Sequence, residues 1–201
     1  MIRKMNQYRF YLFIHYLKLL KMKTKKLVFI VSMLIVSFTV FSQTKNFYDF
    51  KIKSLEGEDF DLSSLKGKKV MVVNTASKCG YTPQYKDLEE LYQKYKNELV
   101  IIGFPANNFL NQEPGSAFEI RQFCTENYNI TFPLMEKISV RGKDIHPLYQ
   151  WLTSKEMNGV MDSDVKWNFQ KYLIDENGNL VDVLYSKEKP DSEKVITWLS
   201  N

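Results

Sequence analysis

Two uninterrupted apolar runs are the strongest feature of the hydrophobic pattern. Residues 70–73 and 99–104 show no alternation of polar and apolar positions, which is typical of strands buried on both faces of a sheet. Between them, residues 84–97 place apolar side chains at helical spacing, with charged residues such as Glu90 and Lys94 on the other face. A strand, a helix and a strand in this order predict a parallel βαβ unit with a right-handed crossover.

Two helices are expected after the second strand. Ser116 and Glu119 form a capping-box pattern, which predicts a helix over residues 116–126. A shorter helix is expected over residues 146–154, and the polar stretch 155–166 is interpreted as a loop.

A β-hairpin and a last helix complete the pattern. Residues 171–174 and 179–184 flank a polar turn, in which Asn177-Gly178 predicts a type I′ geometry. A closing helix is expected over residues 191–199. A βαβ half followed by a linking helix, a hairpin and a closing helix predicts an α/β protein with a thioredoxin-like fold, in which helices flank a central mixed sheet.

The first 43 residues differ sharply in charge from the rest. Of the 28 Lys and Arg residues, eight lie in residues 1–43 and 20 in residues 44–201, and the second segment holds all 23 Asp and Glu residues. The net charge of +5 therefore comes from the first segment, and it does not indicate a nucleic-acid partner for the remainder.

The layout of this first segment is typical of a secretory signal peptide. A basic cluster at residues 21–26 precedes an apolar run at residues 27–41 and then Ser42. The run is shorter than the ~20 residues that span a bilayer comfortably. We therefore interpret residues 1–43 as an export leader and residues 44–201 as one domain in the periplasm or another extracytoplasmic compartment. A retained leader would instead anchor the domain to the membrane.

Cys79 is the candidate nucleophile. It lies between a predicted strand and a predicted helix, near free backbone N–H groups and the positive end of the helix dipole, and Lys78 adds a cation. These features favour the thiolate, which is the reactive form. The alternative is a small buried apolar side chain, as most free cysteines are, but the flanking residues are polar. Thr82 replaces the second cysteine of a Cys-x-x-Cys disulfide exchanger, so the thiol is expected to attack a small substrate first.

Two further residues bear on the chemistry. Cys79 and Cys124 both lie in the domain that is expected to be exported, and two cysteines are too few to staple a domain of this size, so the pair is interpreted as chemical. His146 is the only histidine beyond the leader, which excludes a multi-histidine metal site. A cysteine hydrolase that pairs Cys79 with His146 stays open as an alternative.

Four stretches of the chain resemble the motifs of one family. They are Asn-Thr-Ala-Ser-Lys-Cys-Gly-Tyr-Thr at 74–82, Gly-Phe-Pro to Gln-Glu-Pro-Gly over 103–115, Phe-Pro-Leu at 132–134 and Lys-Trp-Asn-Phe at 166–169. In this order they resemble the glutathione peroxidases in their cysteine-containing form. The resemblance extends from about residue 46 to the end of the chain.

The resemblance implies a thiol peroxidase that needs no cofactor or metal and reduces hydrogen peroxide or organic hydroperoxides. It implies Cys79 as the peroxidatic nucleophile, with Gln112, Trp167 and Asn168 as its hydrogen-bonding neighbours. Amide and indole N–H groups can stabilise a thiolate and a departing oxygen without titrating. It also implies Cys124 as the resolving cysteine, with a thioredoxin-like protein, more than glutathione, as the reductant.

The sequence departs from the family pattern in two places. Ala106 stands where the family often has cysteine, and Leu110-Asn111 replaces the frequent Gly-Gly before Gln112. The stretch 155–166 is short compared with tetrameric members, which favours a monomer. A redox relay that passes oxidation to a client protein remains an alternative, because its thiol chemistry would be the same.

Overall fold

A computed structural model of the chain describes residues 14–16, 18 and 45–200. The chain divides into two compact units, Met1–Gln43 and Thr44–Asn201. The basic cluster and apolar run of the predicted leader lie outside the described residues. Among the residues that are described, no helix is both long and apolar enough to cross a membrane.

The second unit contains a ribbon of two strands and a sheet of four. The strands are β1 (Lys51–Lys53), β2 (Asp59–Asp61), β3 (Lys69–Thr75), β4 (Leu99–Pro105), β5 (Lys171–Ile174) and β6 (Leu180–Leu184). Strands β1 and β2 form the antiparallel ribbon. The sheet has the order β4-β3-β5-β6, in which β3 pairs parallel to β4 and antiparallel to β5. The predicted mixed sheet is therefore confirmed.

Helices cover both faces of this sheet. They are α1 (Gln84–Tyr95), α2 (Ala117–Tyr128), α3 (Pro147–Thr153), α4 (Lys155–Asn158) and α5 (Glu193–Ser200), with short 3-10 helices at Phe47–Asp49 and Leu62–Leu65. Val73 of β3 belongs to one apolar cluster with residues of α1, α2 and α5, whereas the adjacent Val72 belongs to a second cluster with residues of α3. The alternation explains why residues 70–73 of β3 are all apolar. A mixed sheet with helices on both faces confirms the α/β thioredoxin-like fold.

Two local predictions were wrong. Among the hairpin residues only Gly178 has a positive φ, of 83°, so the turn is not type I′. The Asp175 side chain accepts hydrogen bonds from the backbone N–H groups of Asn177 and Asn179. These bonds stabilise a turn in which Asn177 does not adopt a positive φ. The predicted loop at 155–166 begins with helix α4, because the buried Asn158 side chain donates to the carbonyls of Trp151 and Met161 and orders the segment.

Candidate active site

Cys79 lies in a tight turn between β3 and α1, with a thiol that is almost fully buried. The Cys79 backbone N–H donates to the Thr82 hydroxyl at 3.0 Å, and that hydroxyl donates to the Ala76 carbonyl at 2.8 Å. The Tyr81 backbone N–H points at the Cys79 Sγ at 3.4 Å. Thr82 therefore holds the turn that presents one backbone donor to the sulfur.

The helix after Cys79 begins where the sequence predicted, and this start leaves several residues between the helix and the thiol. Helix α1 begins at Gln84, after Pro83, so Cys79 lies about one turn upstream of it. The effect of a helix dipole falls off within the first turn, so α1 acts on the thiol less than the sequence suggested. The local donor to the sulfur is the N–H of Tyr81.

The loop that carries Gln112 is joined to the Cys79 turn through the backbone. The Lys78 N–H donates to the Gln112 carbonyl at 3.0 Å, and the Gln112 N–H donates to the Phe109 carbonyl at 3.1 Å. Leu110 and Asn111 just before it have φ values of 51° and 52°. Left-handed backbone at two adjacent residues with side chains is unfavourable, so the bonds on either side must hold this loop in place.

Asn168 contacts Gln112 directly. The Asn168 Nδ2 donates to the Gln112 Oε1 at 3.0 Å, and the Asn168 side chain is fully buried. Because the Gln112 oxygen faces Asn168, its amide N–H groups can donate to another acceptor. Phe169, the next residue, has a φ of 63°, and its N–H donates to the carbonyl of Asn74 at the end of β3.

Trp167 is held by its neighbours on two sides. Asn74 Nδ2 donates to the Trp167 carbonyl at 3.1 Å, and the indole ring lies 5.2 Å from the ring of Phe109 in the Gln112 loop. Trp167 also lines an open cavity of about 450 Å³ with Tyr81 and Tyr185. The indole therefore contacts Phe109 of the loop that carries Gln112, and the residue borders a cavity next to the Cys79 turn.

Cys124 lies in the second half of α2 and is fully buried. Burial raises the pKa of its thiol to about 11; the neighbouring Tyr85 hydroxyl lowers it and the charge of Glu113 raises it. The Tyr85 hydroxyl lies beside the thiol without the geometry of a full hydrogen bond. Cys79 and Cys124 belong to the same apolar cluster and are not bonded to each other.

His146 has a structural role. Its Nδ1 accepts the backbone N–H of Leu148 at 3.2 Å and so caps helix α3. Burial lowers the pKa of the imidazole. Capping accounts for this residue, and the geometry gives no support to a hydrolase that pairs it with Cys79. Within the described residues, no group of three or more His, Cys, Asp or Glu side chains could hold a metal ion.

Three polar residues of the site were not found from the sequence. Asn74 anchors Trp167, Asn107 accepts the Glu113 N–H at 2.8 Å, and Glu113 accepts the Ser77 hydroxyl at 2.7 Å. All three fall inside the first two recognised motifs, at 74–82 and 103–115, which was the one available signal.

The chain matches one family of known proteins. The sequence model of the glutathione peroxidase family matches residues 47–153. The chain is 51% identical over 147 residues to the glutathione peroxidase-like peroxiredoxin gpx1 of Schizosaccharomyces pombe, a match that covers 73% of this chain and 92% of the relative. It is 50% identical over 147 residues to a glutathione peroxidase of Lactococcus lactis subsp. cremoris, covering 73% of this chain and 93% of the relative.

A solved structure agrees with these matches. The crystal structure of Trgpx in its apo form is 39% identical with a TM-score of 0.62, and the match covers 79% of this chain and 98% of that one. The family identification made from the four motifs is confirmed. The chain belongs to the glutathione peroxidase family of enzymes.

Proposed function

We propose that this peroxidase reduces hydrogen peroxide or organic hydroperoxides through Cys79, that Cys124 resolves the oxidised thiol, and that a thioredoxin-like protein restores both. The proposal rests mainly on two hydrogen bonds of Gln112. Its carbonyl accepts the Lys78 N–H in the Cys79 turn, and its side-chain oxygen accepts the Asn168 amide. The second free thiol, in the same apolar cluster, supports the two-cysteine form.

The first step oxidises Cys79. Its thiolate attacks one peroxide oxygen, the O–O bond breaks, and the departing oxygen takes a proton and leaves as water or an alcohol. The sulfur becomes a sulfenic acid. The Tyr81 N–H stabilises the thiolate, and the free amide protons of Gln112 and the indole N–H of Trp167 stabilise the charge that develops on the departing oxygen.

The second step forms a disulfide. The Cys124 sulfur attacks the sulfenic sulfur, and the hydroxide leaves as water with the proton that Cys124 gives up. A dithiol protein then reduces the Cys79–Cys124 disulfide by exchange. The S. pombe relative is named a peroxiredoxin, which favours reduction by a dithiol protein. The L. lactis relative is named a glutathione peroxidase, so glutathione is the alternative reductant that an experiment has to compare. We further propose that the enzyme is an exported monomer.

Peroxide turnover with thioredoxin or glutathione as the sole reductant tests this proposal. Thioredoxin should support the faster turnover. Cys79→Ser should remove the activity. Cys124→Ser should complete one turnover and then stall with Cys79 as a sulfenic or more oxidised acid. Normal steady-state turnover of Cys124→Ser with thioredoxin would mean that Cys124 is only a buried helix residue.

A further inference from the structure

Glu113 is a buried carboxyl that the proposed chemistry does not use. Its side chain is 1% exposed. One oxygen accepts the Ser77 hydroxyl at 2.7 Å, and the other oxygen is buried without a hydrogen-bond partner. Burial raises the pKa of Glu113, while Ser77 and the charges of Lys137 and Lys78 lower it. Burying a carboxyl with only one oxygen hydrogen-bonded costs free energy, which suggests that Glu113 has a role beyond packing.

Glu113 joins the Cys79 turn to the Gln112 loop. Ser77 and Lys78 directly precede Cys79, and each bonds to the Gln112 loop. The Ser77 hydroxyl donates to the Glu113 carboxylate at 2.7 Å, and the Lys78 backbone N–H donates to the Gln112 carbonyl at 3.0 Å. The backbone of Glu113 is itself fixed, because its carbonyl accepts the Lys137 ammonium at 3.2 Å. The Ser77–Glu113 bond therefore closes the two segments on each other.

Glu113 also lies close to the helix that carries Cys124. It lines a cavity of about 290 Å³ together with Ser77 and with Phe123 of α2. Charged and titratable groups reach Cys124 from three elements: Tyr85 of α1, Glu113 of the loop and Arg121 of α2. Among these groups only Glu113 adds a negative charge that disfavours the Cys124 thiolate.

We propose that Glu113 is a positioning residue that latches the reduced enzyme: it holds the Cys79 turn closed through Ser77, and its negative charge beside α2 disfavours the attack by Cys124. The inference rests on the proposed role of Cys124. Disulfide formation requires the two Cα atoms to approach within about 7 Å, and the cavity beside Glu113 lies between the segments that would move. The latch slows the second step and leaves its chemistry unchanged, since Cys124 still gives its proton to the leaving hydroxide.

Two variants separate the two parts of the latch. Glu113→Gln keeps the volume and an oxygen that can accept from Ser77, and it removes the charge. Ser77→Ala removes the hydrogen bond and keeps the charge. Glu119→Gln is the matched control, because Glu119 lines the same cavity but is exposed. Reduced full-length protein is mixed with one equivalent of hydrogen peroxide and quenched by alkylation, and the sulfenic and disulfide forms are counted by mass spectrometry at several pH values.

Glu113→Gln should accelerate disulfide formation several-fold at pH 7 and should move its pH profile to lower pH, because removing the carboxylate lowers the pKa of Cys124. Ser77→Ala should accelerate it across the pH range without moving the profile. Glu119→Gln should match the native protein. Native rates and an unmoved profile in both Glu113→Gln and Ser77→Ala would overturn the latch.

A parallel run with Cys124→Ser separates the two proposals. Disulfide loss in Cys124→Ser, combined with native behaviour of Glu113→Gln and Ser77→Ala, would remove the latch and keep Cys124 as the resolving residue. An internal disulfide or full turnover that persists in Cys124→Ser would overturn the proposed function, and the latch with it.

Discussion

Thr82 is the single residue that makes Cys79 an isolated thiol instead of half of a Cys-x-x-Cys dithiol. A cysteine at this position would make a dithiol, whereas the threonine hydroxyl here accepts the Cys79 N–H and donates to the Ala76 carbonyl. Both bonded groups belong to buried residues. The hydroxyl therefore replaces a redox partner with a structural support for the turn, and the second thiol has to come from elsewhere in the chain.

Thr82→Val should destabilise the fold by about 1–3 kcal/mol, because it keeps the shape of the side chain and leaves a buried donor and acceptor unpaired. Chemical denaturation of the reduced protein measures the loss. Thr82→Ser, which keeps the hydroxyl, is the control and should lie closer to the native protein. Equal stability of Thr82→Val and the native protein would mean that water replaces the hydroxyl in this turn.

Cys124 should make stability depend on pH in the alkaline range. Burial raises its pKa from 9.0 to about 11 in the folded state. The folded protein thus holds this proton more tightly than the unfolded chain, so the contribution is full below pH 9 and is lost as the pH rises to 11. The loss should reach roughly 2–3 kcal/mol.

Urea denaturation of the reduced protein between pH 8 and pH 11 measures this contribution. Cys124→Ala is the reference, because the lysines and tyrosines that titrate in the same range are present in both proteins. The native protein should lose more stability than the variant over this interval. Parallel loss in the two proteins would contradict a buried, protonated Cys124.

The sequence predicted the reactive residues of the site better than their supports. Cys79 was named from its place between a strand and a helix, and Gln112, Trp167 and Asn168 from the family that the four motifs resemble. The structure joins Gln112 to Asn168 and to the Cys79 turn. The catalytic roles of these residues stay predictions. The supports were missed because their partners are distant in the chain: Glu113 bonds to a residue 36 positions away and Asn74 to one 93 positions away. No periodic pattern encodes such pairs.

At the scale of elements, side-chain caps decided where the pattern of the sequence succeeded or failed. The capping box at Ser116 was visible as a motif and is present in α2. The hairpin turn was mispredicted because Asp175 bonds to the turn backbone, and this outweighs the preference of Asn177 for positive φ. Helix α4 was missed because its order comes from a buried Asn158, and a polar residue gives no apolar signal.

The end of α2 offers a test of movement. Asn129 closes the helix with a φ of 51°, and the Cys124 carbonyl accepts the Ile130 N–H at 3.2 Å as part of the same cap. Cys124 therefore lies in the turn that this cap holds together. If disulfide formation requires the last turn to open, the stability of the cap should set its rate.

Asn129→Gly should stabilise the cap by about 0.5–1 kcal/mol, since glycine adopts left-handed backbone without strain, and it should slow disulfide formation several-fold. Asn129→Ala should have the opposite effect on both. Rapid-quench counting of the disulfide gives the rate, and hydrogen exchange of residues 120–130 in the reduced and oxidised states gives the opening. Equal disulfide rates in the two variants would show that this turn stays closed.

At the scale of the whole molecule, the pattern of buried strands was sufficient for the fold class but not for the sheet order. Two runs that are apolar on both faces require helices on both sides, and this is what the two apolar clusters contain. Nothing in the pattern placed β5 beside β3, because strand pairing depends on packing across the sheet and not on the sequence of one strand.

The charge of the whole chain leads to a prediction about export. If the leader is removed after Ser42, the remaining protein carries 20 Lys or Arg against 23 Asp or Glu and is acidic, whereas the full chain has a net charge of +5. Isoelectric focusing and intact mass of the protein recovered from the periplasm of a bacterial host should therefore show an acidic, shortened species. Leu34→Arg, which interrupts the apolar run, should leave a basic full-length protein inside the cell, since a charge in that run disfavours insertion. A basic, full-length native protein in the membrane fraction would mean instead that the leader is kept as an anchor.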